Sequence, residues 1–174
     1  NINSCRILAN TAESRGGAMR NEEAELTLRN TLIAKNRANV HGGGMNNVDS
    51  SPFIVHCTIA DNTSASRGGA LYNNGASVPI VLNSIIWFNT SDDLGEQIGN
   101  TDQSRVRPFF SNISSGATGG EGNINAEPLF ADAAANNYRL LEGSPGIDTA
   151  REASGEDQGG VTRDFEDDTR GFDG

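Results

Sequence analysis

The stretch IAKNRANVHGGGMNN, residues 33–47, has no helical or strand-like hydrophobic period, yet close copies of it recur along the chain. The phrases ILAN, IAKN, IADN and IWFN end on asparagines that are 26, 26 and 27 residues apart, namely Asn10, Asn36, Asn62 and Asn89. The isoleucines three residues before them, Ile7, Ile33, Ile59 and Ile86, keep the same step. The chain therefore contains an internal repeat of about 26 residues.

A second phrase repeats with the same period. GGAMRN, GGGMNN, GGALYN and a degraded GEQIGN begin at Gly16, Gly42, Gly68 and Gly95 and end on Asn21, Asn47, Asn73 and Asn100. Both phrases gain one residue between their third and fourth copies, which places the insertion in the loop NNGASVP, residues 73–79. Two sets of positions that shift together indicate one structural unit per repeat.

Between these phrases lie short segments rich in β-branched and apolar residues, such as FIVHCTIA at 53–60 and IVLNSIIWF at 80–88. A 26-residue unit is too short for most paired-helix repeats, and 21 glycines with 20 asparagines in 174 residues disfavour helices. The pattern predicts an all-β, right-handed parallel β-helix with about four regular coils and an irregular C-terminal region.

In such a solenoid, equivalent residues of successive coils lie about 4.8 Å apart. Each recurrent asparagine can then donate to one neighbouring coil and accept from the other. We predict two structural ladders of this kind, the first formed by Asn10, Asn36, Asn62 and Asn89, and the second by Asn21, Asn47, Asn73 and Asn100. The glycine pairs supply the tight or positive-φ backbone that a corner needs.

We expect three regions along the chain. Residues 1–103 form the regular coils, residues 104–150 form a modified coil and closing loops of the same domain, and residues 151–174 form an acidic loop or the start of a further strand. The chain reads as a fragment of a longer protein. Partners are therefore expected to be the remaining coils or other protein subunits.

Charge and hydropathy exclude two classes of partner. The net charge of −10 disfavours binding to nucleic acid, which requires clustered Lys and Arg. No apolar run approaches the roughly 20 residues that a membrane-spanning helix requires, so no membrane insertion is expected for this segment.

The Gly-Gly-Ala-Met/Leu and Ile-x-x-Asn phrases resemble the repeats of polymorphic outer-membrane proteins. The segment GEGNINAEPLFADAAANNYRLLEGSPGIDTA, residues 120–150, is similar to the final region of secreted bacterial pectin-lyase-like β-helix proteins. These resemblances imply the β-helix fold and an extracellular or cell-surface location. They leave the activity open, because this fold carries lyases, hydrolases and noncatalytic surface proteins.

The sequence predicts no catalytic residue and no cofactor. Lys35 and Asp61 lie one repeat apart and are interpreted as a surface ion pair. Asp92 and Asp93 are adjacent, so they cannot face one substrate from the same side of a strand, and a solvated loop is expected. His41 and His56 have no nucleophile at matching positions and are interpreted as structural or surface residues.

The segment DFEDDTRGFDG contains the candidate metal ligands Asp164, Glu166 and Asp168, which alternate as in a calcium loop. A solvated acidic loop is favoured over a calcium site, because Thr169 stands where an EF-hand has glycine.

Cys5 and Cys57 are two coils apart, about 9.6 Å, too far for a disulfide, and are expected to be buried thiols. Asn62 and Asn89 begin formal glycosylation motifs but are expected to be buried.

Two functions remain open. The favoured one is a noncatalytic extracellular or cell-surface β-helix that acts as a rigid structural, adhesive or assembly module, with glycans as possible ligands. The alternative is a polysaccharide lyase or hydrolase whose catalytic coils lie outside this segment. Acidic oligosaccharides with calcium would give unsaturated products only in the second case.

Overall fold

A computed structural model describes residues 1–93, 97–101, 103–114 and 119–147. The described chain is all-β and forms a parallel β-solenoid of about four turns, as the repeat predicts. The candidate calcium ligands Asp164, Glu166 and Asp168 lie outside the described residues, as does Gly95.

Each regular coil contributes four short strands. In chain order they are β1 (Ile2–Asn3), β2 (Arg6–Leu8), β3 (Thr11–Ala12), β4 (Met19–Glu22), β5 (Thr27–Arg29), β6 (Leu32–Ala34), β7 (Arg37–Ala38), β8 (Met45–Val48), β9 (Phe53–Val55), β10 (Thr58–Ala60), β11 (Thr63–Ser64), β12 (Leu71–Asn74), β13 (Ile80–Leu82), β14 (Ile85–Trp87), β15 (Thr90–Ser91) and β16 (Ile98–Asn100). Four strands follow, β17 (Arg107–Phe109), β18 (Asn112–Ile113), β19 (Phe130–Asp132) and β20 (Asn137–Leu140).

Equivalent strands of successive coils pair in parallel and build four sheets along the solenoid. Sheet A has the order β1-β5-β9-β13-β17, and sheet B has β2-β6-β10-β14-β18. Sheet C has β3-β7-β11-β15, and sheet D has β4-β8-β12-β16. The modified coil thus extends sheets A and B through β17 and β18.

The register of these sheets is the 26-residue step of the sequence. In sheet B, Ile33 pairs with Ile7 on one side and with Ile59 on the other, and Ile59 pairs with Ile86. Sheet D repeats the relation through the column Met19, Met45, Leu71 and Ile98. The predicted stacking of equivalent residues is confirmed.

The core runs through the middle of the stack. It is formed by one inward residue from each strand of successive coils, and its fully buried members include Leu28, Ile33, Met45, Ile54, Ile59, Leu71, Val81 and Ile86. Ile2, Ile7, Met19 and Leu26 pack against it at the first coil and are only partly buried. Alternation along short strands therefore gives a narrow apolar interior.

Two kinds of corner connect the strands. Gly16, Gly42 and Gly68 have φ values of 72°, 68° and 68°, as expected for glycine corners. Other corners place non-glycine residues in the left-handed region, and Lys35 and Asp61 have φ values of 56° and 52°. That conformation costs roughly 1–2 kcal/mol for an L-residue.

Hydrogen bonds between coils offset the strain at these non-glycine corners. The amide of Lys35 donates to the carbonyl of Ala60 at 3.2 Å, and the amide of Asp61 donates to the carbonyl of Trp87 at 3.3 Å. Each corner is thereby tied to the next coil, so the stack over-determines its conformation.

The closing hairpin, β19 with β20, is antiparallel and lies on the outer face of sheet B. Tyr138 and Phe130 pack there against Leu32, Ala34 and Ala60. This explains why β6 is buried on both faces, although only Ile33 points into the core. This part of the chain thus forms a hairpin laid along the outer face of the stack.

Candidate functional site

The first asparagine ladder is a directed chain of hydrogen bonds. The backbone N and Nδ2 of Asn36 each lie 2.9 Å from Oδ1 of Asn62. The same two donors of Asn62 lie 2.9 and 2.8 Å from Oδ1 of Asn89. At the other end, Nδ2 of Asn10 donates to Oδ1 of Asn36 at 2.9 Å. Every bond between two of these asparagines thus runs from the donor of one coil to the acceptor of the next.

A second ladder follows sheet D with the same direction. Nδ2 of Asn21 donates to Oδ1 of Asn47 at 2.8 Å, and Asn47 donates to Asn73 at 2.9 Å. Asn73 in turn donates to Oδ1 of Asn100 at 2.9 Å. Asn47 and Asn73 are fully buried, so these amides also satisfy polar groups that water does not reach.

A column of hydroxyl and thiol residues forms a third contact line. Thr31 and Ser84 each donate from the hydroxyl to a carbonyl two residues earlier, at 2.8 Å. The amide of Cys57 donates to Oγ of Ser84 at 3.0 Å, and the amide of Ser84 donates to Oγ of Ser111 at 3.2 Å. The sequence predicted Cys5 and Cys57 of this column as buried thiols, but it predicted none of these hydrogen bonds.

Residues that do not recur end the first asparagine ladder and the hydroxyl and thiol column at their C-terminal side. Oε1 of Gln97 accepts from the backbone N and Nδ2 of Asn89, at 3.3 and 2.8 Å. Oδ1 of Asn123 accepts from the amide of Ser111 at 3.0 Å. Sequence reasoning missed both residues, although Gln97 lies within the degraded phrase GEQIGN, and that irregularity was the available signal.

The N-terminal side of the stack has the opposite character. Oδ1 of Asn10 and Oδ1 of Asn21 accept no hydrogen bond from the part of the chain that the structure describes, although both amide nitrogens are engaged. Around them Ile2, Ile7 and Met19 are only partly covered. The first coil therefore presents acceptor oxygens together with the end of the apolar core.

The interpretation of Lys35 and Asp61 as an ion pair is wrong. Nζ of Lys35 donates to the carbonyl of Ala134 at 2.8 Å, and Oδ2 of Asp61 accepts from the hydroxyl of Tyr138 at 2.7 Å. Arg6, on the first coil, donates to the carbonyl of Asn136 at 2.9 Å. All three side chains therefore hold the closing hairpin on sheet B.

Tyr138 is the central contact of that hairpin. Burial, together with its hydrogen bond to Asp61 and the negative charge there, raises the pKa of Tyr138 well above its ordinary value. Its ring meets Phe130 edge to face, with the ring centroids 5.2 Å apart. The phenol is thus a neutral donor anchored in an apolar contact.

His41 lies at the glycine corner and stacks on Tyr72, with the ring centroids 4.3 Å apart. The guanidinium of Arg67 lies 5.8 Å from the centroid of the same ring. Burial, and then the charges of Arg15 and Arg67, lower the pKa of His41, while Asp93 has the opposite effect. Nδ1 of His41 is buried without a hydrogen-bond partner. The neutral imidazole is therefore the favoured form.

The other predicted positions are placed as follows. Asp92 and Asp93 are exposed, and Cys5 and Cys57 are free thiols, of which Cys57 is buried and Cys5 only partly so. Asn62 and Asn89 are 0% and 3% exposed, so neither amide is open to glycosylation. Among the described residues, no three His, Cys, Asp or Glu side chains come together as a metal site.

A search of the described part of the chain finds no helix long and apolar enough to cross a membrane. No protein-family model, no curated protein and no solved structure matches this chain.

Proposed function

We propose that this chain is a noncatalytic β-solenoid module of the extracellular space or the cell surface, with a rigid structural, adhesive or assembly role. The observation that carries the proposal is the one-way direction of the asparagine ladders. The first ladder ends on Gln97 at one side, and at the other side the two ladders leave the acceptor oxygens of Asn10 and Asn21 open. Such a stack can be continued by a coil at one end.

The polar groups of the stack support a structural role in a second way. Lys35 and Asp61, the cation and the carboxylate that lie one coil apart, are engaged in holding the closing hairpin. The recurrent asparagines are engaged in bonds between coils. Lys35 and Asp61 are thus used for cohesion of the stack.

The extracellular setting is proposed from the resemblance of the repeated phrases to those of polymorphic outer-membrane proteins. A rigid rod is a suitable spacer or adhesive surface outside the cell, because its length grows in steps of one coil, about 4.8 Å.

The assembly role is tested by adding one coil. Residues 27–52 are duplicated directly before Asn1, which keeps the 26-residue register of the stack. The added coil brings Asn36 and Asn47 into both ladders and covers Ile7 and Met19. We expect the melting temperature to rise by about 3 °C or more and self-association in sedimentation velocity to fall.

The matched control carries the same duplicate with Asn36→Ala and Asn47→Ala in the added coil only. It should recover the apolar contact but lose most of the ladder contribution. Equal melting temperatures for the extended and the original chain would contradict the proposed continuation. Formation of unsaturated product from an acidic oligosaccharide by the full chain would instead favour the lyase alternative.

A further inference from the structure

A cleft of about 120 Å³ lies between the corner that joins sheets A and B and the end of the closing segment. One wall is a column of corner residues one coil apart, His56, Asn83 and Phe110, all with positive φ. The floor is built by Thr58 and Ile85 on the outer face of sheet B. This cleft belongs neither to the ladders nor to the contact between the hairpin and Asp61.

Gly146 and Leu140 form the opposite wall of the cleft. A Cβ built on Gly146 would lie 3.3 Å from Cδ1 of Leu140 and 3.7 Å from Cδ1 of Ile85. A side chain at this position would therefore extend into the space that the cleft occupies. Glycine at position 146 keeps the cleft open, although its φ value does not require glycine.

The lining of the cleft selects for a small uncharged ligand. Among the described residues, no Asp, Glu, Lys or Arg lines it, although the chain carries 36 such residues, 13 basic and 23 acidic. Its polar groups are amides, hydroxyls, one imidazole and the thiol of Cys57, and its apolar groups are Ile85, Phe110 and Leu140. An anion or a zwitterion would find no counter-charge on the described side chains that line the cleft. The volume is below the roughly 300–1,000 Å³ of pockets for drug-sized ligands.

We infer that this cleft binds one neutral pyranose ring. A pyranose has an apolar face, which the ring of Phe110 and the side chain of Ile85 would cover, and an edge of hydroxyl groups, which Thr58 and Asn83 would meet. The site goes beyond the proposed assembly role and stands independently of it, because it uses the corner of coils three to five and not the open end.

The inference is tested by titrating the ¹⁵N-labelled full chain with a neutral methyl pyranoside and following the amide shifts. We expect saturable shifts confined to the cleft, with a millimolar dissociation constant. Gly146→Val should weaken binding about 10-fold or more, because its side chain fills the cavity. Thr58→Val should weaken it several-fold, whereas Thr63→Val, a similar strand threonine in sheet C, should leave it unchanged.

Three results would overturn the inference. One is the absence of saturable shifts up to about 50 mM sugar, some fifty times a millimolar constant. Another is equal binding by the wild type and a folded Gly146→Val protein. The third is tighter binding of a uronate than of the neutral pyranoside. If Gly146→Val does not fold, the test is the comparison of Thr58→Val with Thr63→Val. Equal affinity of these two variants for the methyl pyranoside would then reject the site.

Discussion

Asn62 and Asn89 lie one coil apart, and Oδ1 of Asn89 accepts two hydrogen bonds from Asn62. The donors are the backbone N and Nδ2 of Asn62, at 2.9 and 2.8 Å. The remaining capacity of the Asn62 amide nitrogen goes to the carbonyl of Ile33 on the preceding coil, at 2.9 Å. One side chain therefore joins three coils. Because Asn62 is fully buried, removing its side chain would leave its hydrogen-bond partners without either a protein partner or water.

The first prediction concerns the centre of this ladder. Asn62→Ala should lower the free energy of unfolding by about 2–4 kcal/mol, because it leaves buried partners on both neighbouring coils without hydrogen bonds. Asn10→Ala, at the exposed end of the same ladder, should cost less than about 1 kcal/mol. Urea denaturation of both variants measures the difference. Equal losses for the two variants would show that burial in the ladder is not the source of stability.

The second prediction concerns the glycine corner. In Gly68→Ala the new Cβ would collide with the carbonyl oxygen of Leu71, at a φ of 68° that already disfavours an L-residue. A loss of about 3 kcal/mol or more is expected. Gly143→Ala is the matched control, since Gly143 has a φ of 79° and no atom within 4 Å of the added Cβ.

Gly143→Ala should therefore cost only the conformational penalty of about 1–2 kcal/mol. Thermal denaturation of the two variants separates collision from backbone strain. If Gly143→Ala proves as damaging as Gly68→Ala, close packing at the glycine corner is refuted as the reason for that residue.

The third prediction concerns pH. The folded chain lowers the pKa of His41, so the unfolded chain, with an ordinary pKa near 6.5, binds the proton more strongly. Protonation of His41 therefore does not affect the free energy of unfolding well above pH 6.5, and it lowers that free energy progressively as the pH falls from about 6.5 toward the folded pKa. Urea denaturation from about pH 7.5 to about pH 5 should show this loss.

His41→Phe is the control, because it keeps a ring against Tyr72 and removes the titration. Its stability should fall less than that of the wild type over the same range, with Arg15, Arg67 and Asp93 unchanged. Parallel pH profiles for the two proteins would rule out His41 as the titrating group.

The fourth prediction concerns the closing hairpin. Tyr138→Phe removes the donor to Asp61 and should weaken docking of the hairpin by about 1–2 kcal/mol. Hydrogen exchange should become faster at amides of β19 and β20 and remain unchanged in the core coils. Tyr72→Phe, whose ring contact with His41 survives, should leave exchange in the hairpin as it is in the wild type. Unchanged exchange in Tyr138→Phe would refute the role of this bond.

The stack could be predicted from sequence because its information is repeated. Asn36 and Asn62 occupy equivalent positions in successive coils. One spacing therefore determines the register of all four sheets. The glycine corners are predictable for a similar reason, since positive φ is a local requirement that glycine meets at little steric cost.

The features that were missed occur only once in the chain. Gln97 replaces the next asparagine of the ladder from a different position in its coil, so no column reveals it and the irregular phrase GEQIGN is the only sign of it. Lys35 and Asp61 were paired with each other because they lie in one column, yet their partners, Ala134 and Tyr138, arrive from a hairpin far along the chain. Contacts made outside the repeat cannot be deduced from its period.

The most direct test of the stacked register is an engineered disulfide between coils. Thr63 and Thr90 are register partners in sheet C, so their Cα atoms lie about 4.8 Å apart, within the range of a disulfide. The first variant is therefore Thr63→Cys with Thr90→Cys, in a background of Cys5→Ser and Cys57→Ser. The second variant is Arg37→Cys with Thr90→Cys in the same background, where the two Cα atoms lie two coils apart, about 9.6 Å.

Mild oxidation followed by mass spectrometry of the folded monomer should show an internal disulfide in the first pair and free thiols in the second. Free thiols in the first pair, or equal crosslinking of both pairs, would contradict a solenoid in which residues one repeat apart lie directly over one another.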